Sequence, residues 1–256
     1  MGNSIYHTAQ LYDDIHWWKT NDMEFWVNIF NEIEGEQVLE LACGTGRLAP
    51  CLLREGASYT GLEIVPDFVR AAKKKLVNYS NMVSIIPGDM CSFNLNKKFD
   101  LIFIGFNSFL HLLTNADALK FFSCVKAHMH NDTRFIIDIY IPSPLFLYRP
   151  EEVRFPVLEY VDSQTKEQVF VEERNSYSSE TEINELEWFF STKDKKDFDR
   201  RKFSMRMYFP SQMNTMLIDA GFKIIHQWGD YFRTQINDGS NLQIYDVKLN
   251  QEKFDV

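Results

Sequence analysis

The chain has 256 residues, 45% of them hydrophobic and 25% charged, and a net charge of −9. That length and composition suit one large α/β domain, or a domain with a substantial insertion, and exclude wholesale disorder. The acidic balance and the lack of a Lys/Arg-rich stripe argue against a nucleic-acid partner, because a phosphate backbone asks for a basic footprint. Cys43, Cys51, Cys91 and Cys124 show no C-x-x-C spacing and no accompanying His cluster, so neither a metal site nor a disulfide framework is expected. The first residues lack a signal peptide's basic and apolar regions, and Gly2 is not followed by Ser or Thr at position 6. No apolar run approaches a membrane span. The expectation is a cytoplasmic protein without a membrane partner.

Residues 5–18 interleave Tyr6, Leu11, Tyr12, Ile15, Trp17 and Trp18 with polar residues, the pattern of an amphipathic helix. It reads equally as a helix packed on the main domain or as a lid over a site. Thr20-Asn21-Asp22 can cap a second helix, Met23 to Ile33, with Phe25, Trp26, Ile29 and Phe30 on one side. A strand at Val38–Leu41 follows, then a loop containing Gly44 and Gly46, then a helix from Leu48 to Glu55. A second strand, Tyr59–Ile64, ends in an acid, Glu63. A helix from Phe68 to Val77 has Lys73-Lys74-Lys75 on its solvated face. Val83–Ile86 is a third strand, running into Pro87-Gly88-Asp89-Met90. Phe99–Phe106 is nearly continuous in apolar residues, as expected of a parallel strand buried on both faces. A helix from Ala116 to His130 and a fifth strand, Arg134–Tyr140, complete the alternation, which implies βαβ units and a doubly wound sheet.

The rhythm breaks at Pro142, Pro144 and Pro150, after which the period falls towards two. Residues 169–174, 183–190 and 203–209 read as antiparallel strands, with a charged turn from Lys193 to Arg201. The α/β rhythm resumes with a helix from Ser211 to Asp219, a strand Phe222–Trp228 and a last strand Leu242–Leu249. The expected fold is therefore a Rossmann-like, doubly wound, seven-stranded and mostly parallel sheet with helices on both faces. An antiparallel β-rich insertion follows its fifth strand. The chain divides into a helical lead-in (1–34), a nucleotide-binding core (35–149), the insertion (150–209) and a completion of the core sheet (210–256).

Glycines after a first strand let the backbone approach a ligand closely, and the following helix aims its N-terminal N–H groups there. Gly44-x-Gly46-x-x-Ala49 meets a permissive dinucleotide spacing, with Glu63 placed for a ribose diol. Glu40 makes that ligand the weaker reading. A carboxylate in front of the glycines repels a pyrophosphate but suits the cationic methionine end of S-adenosylmethionine.

Glu40-Leu-Ala-Cys-Gly-Thr-Gly resembles the first motif of class I S-adenosylmethionine-dependent methyltransferases. Gly61-Leu62-Glu63, Gly88-Asp89-Met90 and Phe99-Asp100-Leu101-Ile102 with Phe106-Asn107-Ser108 resemble the second, third and fourth. Ala42 stands where many members carry glycine. The resemblance implies S-adenosylmethionine as cofactor and a binding set of Glu40, Ala42, Gly44, Gly46, Glu63, Ile64, Asp89, Met90 and Phe106. In it Glu63 takes the ribose hydroxyls and Asp89 the adenine amino group. The Met90 N–H meets the adenine ring, and the backbone at Ala42, Gly44 and Phe106 lines the methionine portion. Asp89 reads otherwise as a turn residue, Met90 as core filler and Arg47 as a surface helix residue.

Methyl transfer from a sulfonium is an in-line displacement that needs a base only where the acceptor must lose a proton. Asn107-Ser108-Phe109 lacks the prolines of nucleic-acid amino-methyltransferases. Leu11-Tyr12-Asp13, the motifs above, His111 after the fourth strand and the insertion are together similar to a subgroup that includes aminosugar N-methyltransferases. There the Tyr and His flank the transferring methyl, which implies catalytic roles for Tyr12 and His111 and a small-molecule amine as acceptor. A lone His among apolar residues is otherwise structural. O-methylation of a hydroxylated metabolite, a non-catalytic S-adenosylmethionine-binding protein and an NAD-dependent oxidoreductase are the alternatives. The aromatics of the insertion suit an acceptor roof or a homodimer contact equally, and Asp138 reads as acceptor-facing or structural.

Overall fold

The computed structural model describes residues 4–251, so the start at Met1-Gly2, read above for targeting signals, lies outside the described residues. In chain order the elements are α1 (Ala9–Ile15), α2 (Met23–Asn31), β1 (Gln37–Leu41), α3 (Ala49–Arg54), β2 (Ser58–Glu63), α4 (Pro66–Lys75), β3 (Val83–Pro87) and β4 (Phe99–Ile104). There follow α5 (Asn115–Ala127), β5 (Met129–Tyr140), α6 (Pro144–Leu147), β6 (Phe155–Val161), β7 (Gln168–Ser178), β8 (Ile183–Ser191) and β9 (Asp199–Arg206). The chain closes with α7 (Pro210–Asp219), β10 (Phe222–Trp228) and β11 (Leu242–Leu249). These elements form two units.

The larger unit comprises residues 21–141 and the described residues from Tyr208 onward. Its seven strands run in the order β3-β2-β1-β4-β5-β11-β10, all parallel except β11, which is antiparallel to both of its neighbours. The expected seven-stranded sheet is what forms. Strands β1 and β4 are central, and their apolar runs are buried on both faces: Val38, Leu39 and Leu41, with Leu101 to Ile104, have essentially no exposure. On one face Trp26 of α2 stacks on Phe103, with ring centroids 4.4 Å apart. Elsewhere Phe109, Phe121, Phe122, Phe135 and Phe222 form a chain of ring contacts 5.5–6.0 Å apart. Rings of this size bury the most apolar area per residue, which fixes α2 and α5 against the sheet. Among the described residues no helix is long and apolar enough to cross a membrane.

The smaller unit comprises the described residues up to Thr20 and residues 142–207. Its antiparallel sheet runs β6-β7-β8-β9. One face carries Tyr160, Val169, Val171, Trp188 and Phe190, on which Ile5 and Ile15 of the N-terminal segment pack. The other face shelters Phe189 beneath guanidinium groups: Arg154 lies 3.5 Å from the ring centroid, Arg200 4.9 Å and Arg174 5.4 Å. Arginine planes cover an aromatic ring while their charges stay solvated, so an apolar residue is buried without a second layer of chain.

Two readings of the sequence differ from what forms. The insertion has four strands, not three. Strand β6 contains Pro156, which reads against a strand but is tolerated at a sheet edge, where its missing N–H is not needed. The supposed turn from Lys193 to Arg201 is strand from Asp199 onward, because Asp199, Arg200 and Arg201 pair with Phe190, Phe189 and Trp188. Among the described residues of the 1–34 stretch, α1 falls in the smaller unit and α2 in the larger. Each helix follows the apolar surface it covers, α1 the aromatic sheet face and α2 the Phe103 side of the core.

Candidate functional site

Strand order reverses at β1, whose neighbours β2 and β4 carry the chain away to opposite sides. Loops leaving the C-terminal ends of such strands diverge and leave a crevice, where doubly wound sheets bind ligands. Of the nine cofactor residues inferred from the sequence, seven lie on the loops after β1, β2, β3 and β4, while Glu40 is within β1 and Glu63 ends β2.

After β1 the backbone turns sharply, with φ of +54° at Ala42, +60° at Gly44 and +73° at Gly46. The turn is held by its neighbour strand. Cys43 N–H donates to the Leu62 carbonyl (3.0 Å), and Gly44 N–H donates to Glu63 Oε2 (2.8 Å). At Gly46 a Cβ would lie 3.1 Å from Leu76 Cδ1 and 3.4 Å from Ala72 Cβ, so glycine there serves both the left-handed conformation and the approach of α4. Ala42 takes the left-handed conformation with a side chain, at a cost of about 1–2 kcal/mol. Ala42→Gly is therefore expected to raise stability by roughly 0.5–1 kcal/mol, the gain being trimmed by the greater freedom of glycine in the unfolded chain. A denaturant midpoint that rises at constant slope checks this; a fall would contradict it.

Glu63 ends β2 with both carboxylate oxygens engaged, Oε2 by Gly44 N–H and Oε1 by Val65 N–H (2.8 Å). It is 5% exposed. Burial raises its pKa, and the backbone donors oppose that shift. A carboxylate has about four acceptor sites, so two remain for hydroxyl donors of a ligand. The neighbouring Ile64 is well exposed, an apolar surface beside an acceptor. On the next loop Asp89 is exposed, with Oδ1 accepting from Cys91 N–H (2.8 Å), and Met90 is half-buried.

Glu40 is placed differently. It is buried within the sheet beside Tyr59, whose hydroxyl donates to Oε2. Burial pushes its carboxyl up to about 8, against the opposing pull of Tyr59 and of Arg47. A buried acid of this kind is poised to lose its proton when a cation arrives.

Beyond β4, Phe106 (φ +50°) and Asn107 (φ +65°) are consecutive left-handed residues with side chains. Asp138, buried at the end of β5, holds this turn. Its Oδ2 accepts from Phe106 N–H (3.0 Å) and from the Tyr231 hydroxyl (2.9 Å), and its carbonyl accepts from Asn107 N–H (3.1 Å). Asn107 Oδ1 in turn accepts from Tyr140 N–H (2.8 Å). Of the two readings of Asp138, the structural one is thus realised. His111 ends a 3-10 turn, Ser108–His111, half-buried between buried Leu110 and Leu112. Tyr12 lies on α1 in the smaller unit, its ring beside those of Tyr6 (6.1 Å) and His16 (4.3 Å).

Two expectations are overturned here. Arg47 is no free surface residue: Nη1 and Nη2 each reach an Asp22 oxygen at 2.7 Å, and the guanidinium lies 5.7 Å from the Phe106 ring centroid. Asp22 precedes α2 but makes no side-chain cap bond, because its fully buried carboxylate is committed to Arg47. An Arg fork matches a carboxylate bidentately and outcompetes a single N–H. Sequence reasoning also missed Tyr59 and Tyr231, which no local motif marks. An open hollow of about 540 Å³ beside Phe93, Lys98 and Cys124 lies at the start of β4, the opposite end of that strand from these loops. Among the described residues no group of three or more His, Cys, Asp or Glu could hold a metal ion.

The crevice offers acceptor oxygens for hydroxyls at Glu63, an apolar shelf at Ile64, a tightly turned backbone after β1 and β4, and at Glu40 a carboxyl that can ionise beside a cation. This set fits the ribose, adenine and cationic methionine end of S-adenosylmethionine. Residues 38–132 match the model of a methyltransferase domain. The chain is 31% identical over 84 residues to the dTDP-3-amino-3,4,6-trideoxy-alpha-D-glucopyranose N,N-dimethyltransferase of Streptomyces venezuelae, a match spanning about a third of each (33% and 34%). Its fold is similar to that of the CcbJ methyltransferase from Streptomyces caelestis (TM-score 0.80, 16% identity, 96% and 98% of the two chains covered). It is similar also to an S-adenosylmethionine-dependent methyltransferase from Clostridium acetobutylicum ATCC 824 (TM-score 0.76, 21% identity, 94% and 97% covered). Residues 38–132 thus carry a methyltransferase domain, and the fold around it is similar to that of an S-adenosylmethionine-dependent methyltransferase.

Proposed function

We propose that the protein N-methylates a small amine acceptor of the aminosugar kind, with Glu63, Ile64, Asp89, Met90 and the backbone at Ala42, Gly44, Gly46 and Phe106 holding the methyl donor. The observation that carries the cofactor part is Glu63. A buried carboxylate at the end of β2, tied to the glycine turn through Gly44 N–H, leaves lone pairs for the two hydroxyls of a ribose. Glu40 supplies negative charge near the ammonium of the methionine end. Bound there, S-adenosylmethionine supplies a methyl group on a sulfonium, ready for in-line displacement. The acceptor class is supported by the matched stretch of the aminosugar dimethyltransferase and by the order of motifs around it. A net charge of −9 also favours approach of a cationic amine over an anionic acceptor.

An amine is protonated near neutral pH and must lose a proton before it attacks. His111 is the base proposed for that step, and Tyr12 a residue that orients the acceptor. Positioning carries most of a methyl transfer, so losing either side chain is expected to lower turnover by about tenfold to thirtyfold and to leave donor affinity unchanged.

The test is label transfer from radiolabelled S-adenosylmethionine to nucleotide-linked aminosugars and to their hydroxyl analogues, followed by the same assay on Tyr12→Phe and His111→Ala. Label on the amines alone is expected. Label on the hydroxyl analogues alone would replace this reading by O-methylation. Binding of S-adenosylhomocysteine without transfer to any acceptor would point to a non-catalytic protein.

A further inference from the structure

We infer that Tyr231, on the connection between β10 and β11, is a positioning residue for the methionine end of the methyl donor, acting through Asp138 on the Phe106–Asn107 turn. The inference rests on the reading that Phe106 lines that end of the cofactor.

Two consecutive left-handed residues with side chains are an uncommon conformation, so something must hold them. Asp138 does so from β5 through its carboxylate and its carbonyl, while Asn107 ties back to Tyr140. The same oxygen that accepts Phe106 N–H, Oδ2, also accepts the Tyr231 hydroxyl at 2.9 Å. That carboxylate therefore cannot rotate away from the turn without giving up both bonds. Packing closes the remaining freedom. A Cβ on Gly105 would lie 3.2 Å from the Trp26 ring and 4.0 Å from Asp138 Oδ2, so the end of β4 is held between α2 and β5. The Tyr231 ring is seated against Phe25 of α2, with centroids 5.6 Å apart. The Arg47 guanidinium lies over the Phe106 ring of the turn, fixed by buried Asp22.

Asp138 and Asp22, both acidic, face Tyr231, with Arg47 the opposing charge, and burial together with these carboxylates keeps the phenol protonated. The hydroxyl thus stays a donor to the Asp138 carboxylate. The turn's backbone polar groups are thereby held in place before the donor arrives, and preorganisation of this kind lowers the cost of binding.

The probes are S-adenosylhomocysteine and 5′-methylthioadenosine, which share the adenosine and differ in the amino-acid end. Calorimetric titration of Tyr231→Phe, which keeps the ring and its packing, is expected to show about tenfold weaker S-adenosylhomocysteine binding and unchanged 5′-methylthioadenosine binding. General loosening of the fold would weaken both ligands alike. The effect of Tyr231→Phe should also vanish in an Asp138→Asn background, since the hydroxyl acts through that carboxylate. Equal affinities of Tyr231→Phe and wild type for S-adenosylhomocysteine, equal losses for both ligands, or additivity with Asp138→Asn would each overturn the inference. Glu63→Ala serves as the control for the underlying reading and should weaken both ligands. If it weakens neither, the cofactor assignment itself is wrong, whatever Tyr231→Phe shows.

Discussion

Glu63→Ala is expected to weaken S-adenosylhomocysteine binding several-hundredfold while the protein still folds. The carboxylate serves two sets of partners. Towards the protein it satisfies Gly44 N–H and Val65 N–H, both at 2.8 Å. Towards the ligand it accepts the ribose hydroxyls in the proposed complex. Hydrogen bonds to a charged group contribute about 1.5–3 kcal/mol each, so losing the two ligand bonds alone is worth about 3–6 kcal/mol, at about 1.4 kcal/mol per tenfold in affinity. The backbone donors left unpaired make the turn less well held and lower stability by about 2 kcal/mol. Glu63→Gln should fall between the two proteins, because one amide oxygen replaces two carboxylate oxygens and the amide NH₂ opposes a backbone N–H. Calorimetric titration, with thermal unfolding alongside, measures both effects. A folded Glu63→Ala protein that binds within about threefold of wild type would remove Glu63 from the site.

Glu40 gives the second large effect, seen as a pH dependence. Its carboxyl lies near 8 in the free protein, against an ordinary value of 4.5. Binding the ammonium of the ligand's amino-acid end favours the ionised form, so it should release a proton below pH 8. Affinity for S-adenosylhomocysteine should then rise by about tenfold to thirtyfold between pH 6.5 and 8. Glu40→Gln should flatten this profile and bind about a hundredfold more weakly at pH 8. Stability moves the other way. The folded protein keeps the Glu40 proton between 4.5 and about 8 while the unfolded chain releases it. This group's full contribution is therefore present below pH 4.5 and is lost as the pH rises towards 8, by an amount on the order of a few kcal/mol. Glu40→Gln should accordingly gain on wild type in stability as the pH rises through that window. A flat binding profile in wild type, or an unchanged profile in Glu40→Gln, would show that Glu40 does not sense the ligand's charge.

Much of the core was legible because its signals are local. Continuous apolar runs at β1 and β4 report burial on both faces, and Gly44 and Gly46 report a turn whose φ values only glycine adopts freely. The acid at the end of β2 could be placed from its strand alone. Other features escaped for identifiable reasons. Strand β6 was hidden by Pro156, whose penalty depends on whether the strand lies at an edge, and that is a property of the assembled sheet. The end of the predicted helix at His130 was misplaced because His128 and His130 carry no helix-stop chemistry, whereas the strand already begins at Met129, next to Phe99 of β4. The N-terminal aromatics announced an amphipathic helix but not its partner.

By itself the sequence determined the seven-stranded α/β sheet, which follows from short-range patterns of burial and turn geometry, while the cofactor class came from the resemblance of its motifs to those of methyltransferases. Only the tertiary structure decided which polar groups meet. Arg47 finds Asp22 across 25 residues, and Tyr231 finds Asp138 across 93. A buried carboxylate must be satisfied, but nothing in its local sequence says by which donor. That choice is made when distant segments close around the same core, and with it are set the proton held by Glu40, the committed role of Asp138 and the hold on the turn after β4.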